Sequence, residues 1–170
     1  MTGPVLICFD DSESSRAALD AATALFAAHD AIVACYWQPF ASSSKPFAVD
    51  ILELVQEPDA INEREEQLAR ALAEEGALLA REGGLNAEAR AIEIDGPIDE
   101  AILLHAEELD AAAIVLDARS RSGVRSLLLG DTANEVAQRA TQPVFVVPSR
   151  PLGKRRRDAL RNEVEAETTS

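Results

Sequence analysis

The segment from Leu116 to Val136, LDARSRSGVRSLLLGDTANEV, has the layout of a phosphate-holding loop, with an apolar strand before it and a helix opening after Gly130. Glycine at a helix entrance lets backbone N–H groups come close to an anion, and the helix N-terminus favours negative charge. Two acids, Asp117 and Asp131, nevertheless stand at the ends of this loop. Two unit charges ~5 Å apart at an effective dielectric of ~20 repel by about 3 kcal/mol, so both carboxylates oppose a polyanion. Arg119, Arg121 and Arg125 can offset that repulsion, as can a Mg²⁺ bridging Asp117 or Asp131 to phosphate oxygens. An Arg-rich loop without a ligand is equally a salt-bridged loop in which the arginines answer the two acids. Asp131 reads as an N-cap, and Thr132 with Glu135 as an S/T-x-x-E capping box, so the helix's own donors are expected to be taken.

No other residues assemble a reactive constellation. Cys8 and Cys35 lie in apolar strand-like runs, where a small buried thiol is the default. His29 and His105 follow helical patterns and have no Ser, Cys or second His placed for a triad or a zinc site. GxxxxGK[ST], HExxH and GxSxG do not occur, so no catalytic residue and no resident metal are expected. Acids outnumber Lys and Arg by 30 to 16, and the net charge of -14 repels DNA, RNA and anionic lipid. The first apolar run breaks at Asp10, well short of a secretion signal or membrane span, which points to a cytoplasmic protein.

The elements that must position these residues alternate. Val5–Phe9, Ala31–Trp37, Asn86–Ile94, Ala111–Leu116 and Val144–Val147 read as strands. Helical periodicity fills the gaps at Ser14–His29, Asn62–Arg81 and Ile98–Glu108, and again after Gly130. The alternation predicts an α/β fold: a doubly wound parallel sheet of five strands with helices on both faces. Ligands of such sheets sit beyond the carboxyl ends of the strands. That directs attention to Asp10–Ser14 after the first strand and to the loop from Asp117 to Gly130 after the fourth. Gln38–Asp50 reads as an irregular connection rather than a lid. Residues 1–149 form the expected domain, and 150–170, which include the basic run Lys154–Arg157, form a charged tail with too few apolar residues to join the core.

VLICFDDSESSRAALDAA, and IDGPIDEAILLHAEELDAAAIVLDARSRSGVRSLLLGDTANEVAQRATQPVFVVP with its spacing, resemble the universal stress protein family over about residues 4 to 148. The resemblance implies strand order 3-2-1-4-5, a cytoplasmic homodimer, and either a nucleotide-binding or a non-binding branch. Binding members carry Gly, two residues, Gly, nine residues, Gly, then Ser or Thr. Those places fall here on Asp117, Ser120, Gly130 and Asp131, and only Gly130 matches. Asp10 matches the acid that binding members place after the first strand, Asp11 stands where many have Gly, and Tyr36 aligns with a position whose backbone meets adenine. If the cleft is used, the resemblance puts a nucleotide against Asp10, Tyr36, Asp117, Arg119, Ser120, Gly130, Asp131 and Thr132. The expectation is a non-enzymatic stress-response homodimer with an altered, weak or non-binding cleft and no cofactor. The alternative is an ATP binder assisted by Mg²⁺ at Asp117 and Asp131, with at most slow hydrolysis. The resemblance further implies dimerisation through the last strand, Val144, Phe145, Val146 and Val147, whose partners beyond a second copy the sequence does not name. A phospho-acceptor pocket built on the paired acids fails on spacing, because Asp117 follows an extra strand–helix unit.

Overall fold

The computed structural model describes residues 3–40, 58–118, 130–148, 153–158 and 161. The chain runs β1 (Val5–Cys8), α1 (Glu13–Leu25), β2 (Asp30–Trp37), α2 (Pro58–Glu82), β3 (Asn86–Glu93), α3 (Ile98–Glu108), β4 (Ala113–Asp117), α4 (Asp131–Arg139) and β5 (Val144–Val147). All four strand pairings are parallel, in the order β3-β2-β1-β4-β5, as expected. The strand order reverses between β1 and β4, where the connections leave the sheet towards opposite faces.

Alternation along the strands sorts the core into two halves. Val5, Ile7, Val33 and Val115 face α1 and α2, meeting Ala18, Leu19 and Ala22 of the first helix and Ala77 and Ala80 of the second. Leu6, Ile32, Ile114 and Leu116 face α3 and α4, where Ile102, Ala106, Ala133 and Val136 receive them. Burying each larger aliphatic side chain contributes about 1.5–3 kcal/mol. Because β1 and β4 are sheltered on both sides, their sequences are continuous apolar runs rather than alternating ones.

Differences from the expected boundaries lie at element ends and have local causes. Ser12 caps α1, its Oγ accepting from the Ser15 N–H at 3.1 Å, so the helix starts at Glu13. It stops at Leu25 because Ala28 turns left-handed (φ 65°), which leaves His29 outside the helix and exposed. The second helix begins at Pro58, four residues before Asn62, consistent with proline's fitness for a first helical turn. A left-handed Asp110 (φ 46°) delays β4 to Ala113. In the tail, residues 153–158 are helical. Residues 41–50 of the Gln38–Asp50 connection lie outside the described residues.

Candidate functional site

A cleft of about 420 Å³ opens where β1, β2 and β4 end, between the sheet and the first turns of α3 and α4. Its floor is apolar: Leu116 comes from the sheet, Ile98 and Ile102 from α3, and Ala133 from α4. Asp10 and Asp117 stand at its mouth, each at the end of a central strand, and Thr132 enters from the first turn of α4. The volume lies within the ~300–1,000 Å³ usual for small-ligand sites. Four expected residues, Asp10, Tyr36, Asp117 and Thr132, are therefore brought together by the fold.

Asp10 does two things at once. Its Oδ1 accepts from the Ser12 N–H at 3.2 Å and from Ser12 Oγ at 2.7 Å, which fixes the turn into α1 and holds the carboxylate at the mouth. Asp11, in the place where the resemblance puts Gly, adopts φ 62°, a left-handed conformation that Asp tolerates better than most residues. Its carboxylate pairs with Arg16, which also pairs with Glu75 of α2. Across the cleft, Gln38 donates to the Gly96 carbonyl at 2.8 Å and ties the end of β2 to the turn that launches α3.

The entrance to α4 corrects the expected capping. Gly130, buried and extended (φ −64°, ψ 156°), is itself the N-cap, and no side chain caps the helix. Asp131 is thereby one step inside the helix, past the position from which its carboxylate would cap, and the Thr132–Glu135 box does not form. Asp131 is exposed and is not among the residues lining the cleft. Arg119 and Ser120, together with Arg121 and Arg125, lie outside the described residues.

Two residues that sequence reasoning assigned other roles belong to the wall. Cys8, expected to be a plain core thiol, lines the cleft. Burial, then the charges of Asp117 and Asp10, push its thiol up to about 12. That both acids act on one sulfur places them around the same space. Tyr36 also lines the cleft. Burial, and to a lesser degree Cys8, raises its phenol far above the usual range, and Oη is sealed from solvent with no hydrogen-bond partner. His105 meets the Tyr36 ring edge-on at 6.3 Å but opens into a different groove, beside Arg90 and Glu93, and burial lowers its pKa. The apolar floor carried no sequence signal, since Ile98, Ile102 and Ala133 read as ordinary core positions.

The sequence model of the Universal stress protein family matches residues 1–148. The chain belongs to this family. Among solved structures, a universal stress protein from Archaeoglobus fulgidus is 21% identical, with 86% of this chain and 99% of that chain covered and a TM-score of 0.63. A universal stress protein in complex with cAMP is 23% identical over 88% and 99% of the two chains (TM-score 0.60). A family member from Arabidopsis thaliana with AMP bound is 11% identical over 86% and 91% (TM-score 0.58). No curated protein matches this universal stress protein significantly. At these identities the structural likeness establishes the shared fold. Among the described residues there is no group of three His, Cys, Asp or Glu that could hold a metal ion, and no helix is long and apolar enough to cross a membrane.

Proposed function

We propose that this universal stress protein is a binding module rather than an enzyme, acting as a cytoplasmic homodimer in the stress response. Its cleft takes a nucleoside-class ligand and holds ATP weakly or not at all. The observation that carries this reading is the cleft itself: an apolar floor sized for a small molecule beneath a mouth made of Asp10 and Asp117. The ligands of the relatives solved with cAMP and AMP support the ligand class. The protonated state of the wall supports binding over chemistry. A nucleophile must be deprotonated to attack, and both Cys8 and Tyr36 are held neutral at pH 7.

The second reading, Mg²⁺-assisted ATP binding with slow hydrolysis, is favoured by one feature. The N-terminus of α4 lacks a side-chain cap, and such a terminus attracts phosphate. Titration calorimetry with ATP, with and without Mg²⁺, separates the two readings. Little heat is expected from the unmodified protein, whereas submicromolar affinity with Mg²⁺ would promote the second reading and put Asp117 and Asp131 on the metal side. The combined variant Asp117→Gly, Ser120→Gly, Asp131→Ser is expected to gain ATP affinity by at least 10-fold, as removal of two opposing charges implies. A folded triple variant that stays blind to ATP would show that repulsion is not what weakens the site.

A further inference from the structure

We propose that the basic helix after β5, residues 153–158, is a docking element for an acidic segment of a partner protein. This goes beyond the reading of the cleft and does not depend on it. The first observation is charge that the domain leaves unused. Arg16, Arg70, Arg81 and Arg139 each lie against one or two carboxylates. Lys154, Arg155 and Arg157, in contrast, are exposed and pair with no described residue. Four cations in succession repel one another, and Lys154 and Arg157 share a helix face at i, i+3, so an anionic group that bridges them relieves the repulsion.

The second observation is where the helix stands. A methyl group added at Gly153 would lie 3.9 Å from Cγ of Pro148, the residue after β5, so the helix begins against the carboxyl end of the sheet. That end is acidic. Each helix that starts there carries an acid in its first turn: Glu13 in α1, Asp59 in α2, Asp99 and Glu100 in α3, and Asp131 in α4. With carboxylates at every helix start of that end, Lys154, Arg155 and Arg157 still pair with none that is described, and their charge stays open to a partner.

The same field decides the class of partner. All but four of the 30 acids precede residue 150. Six helical residues span about 9 Å, and charges are felt over about 8 Å at physiological salt. A nucleic-acid duplex or an anionic bilayer that reached the helix would therefore run over the acidic end within that distance and be repelled. A short acidic peptide segment meets the helix alone. Arginine suits it further, because the guanidinium fork holds a carboxylate through two N–H donors.

Fluorescence anisotropy of a dye-labelled oligoglutamate peptide, titrated with the full chain, tests the inference. Binding is expected at low salt and should weaken several-fold as salt is raised, as exposed ion pairs do. The combined variant Lys154→Ala, Arg155→Ala, Arg157→Ala is expected to bind about 10-fold more weakly, each exposed pair being worth a factor of about two or three. Truncation after Arg150 should lose the peptide at least as completely and gives a second route to the same result. Arg64→Ala with Arg90→Ala removes positive charge from the domain instead and should leave the affinity unchanged. A DNA duplex or phosphatidylserine vesicles bound more tightly than the peptide would overturn the class of partner. Equal peptide affinity in the triple variant and the unmodified protein, or an equal loss in the Arg64 and Arg90 variant, would overturn the role of the helix. No binding at low salt would overturn the proposal outright, while ATP calorimetry on the cleft would stand as before, since none of these changes touches a cleft residue.

Discussion

Cys8 has a chemistry that departs from what its surroundings in sequence suggest. It sits at the end of an apolar strand, yet it borders a cleft and feels two carboxylates. Its thiol is pushed up from an ordinary 9.0 to about 12, and that of Cys35 to about 11, each chiefly by burial. A folded-state pKa raised above the unfolded one stabilises the protein fully below the unfolded pKa, and the contribution disappears as pH rises towards the folded pKa. The melting temperature is thus expected to hold up to pH 9 and to fall between pH 9 and pH 11. Cys8→Ala should flatten part of that fall in scanning calorimetry. The same protonation makes both thiols slow towards iodoacetamide at pH 7.5 in the native protein, and rapid alkylation of Cys8 would contradict the environment described here.

At the scale of elements, α2 is held against the sheet by small residues. Ala69, Ala73, Ala77 and Ala80 are buried along its underside, and a methyl group added at Gly76 would come within 2.7 Å of Phe9 and 2.8 Å of Val33. Gly76→Val is expected to cost about 2 kcal/mol by overpacking, despite the better helix propensity of valine, as read from urea unfolding. The order of elements and the two-faced packing were legible in the sequence because apolar runs of strand length alternate with helical periodicity. That Asp10, Asp117 and Thr132 line one cleft was legible because polar side chains follow apolar strands or open a helix. The floor of the cleft was not, since Ile98, Ile102 and Ala133 have the same periodicity whether they meet a side chain or a ligand. The capping of α4 was misread for a related reason: Asp131, Thr132 and Glu135 have the right spacing, but the backbone of Gly130 decides which residue is the cap.

For the whole molecule, the sheet leaves two edges, β3 and β5, and they differ in chemistry. Along β3, Glu88, Arg90 and Glu93 place charges that deter further pairing. Residues of β5 are all apolar and all half-buried, and Phe145 packs edge-on to Phe26 of the segment after α1 at 5.2 Å. With a net charge of -14, copies of the molecule repel one another, so a contact between them needs apolar burial to outweigh the field. Truncation after Arg150 should leave the melting temperature within a few degrees of the full chain, because few apolar residues lie beyond it. A large drop would mean that the tail docks on the domain. The homodimer proposed above should depend on β5 instead: two copies of the strand related by a two-fold axis satisfy each other's open backbone groups and cover Val144 and Val146. Val146→Lys would set two like charges into that contact and is expected to convert dimer to monomer in equilibrium sedimentation at tens of micromolar. Glu88→Lys on the opposite edge should leave the dimer intact. If both variants and the unmodified protein sediment alike as monomers, the apolar edge is not an interface between copies.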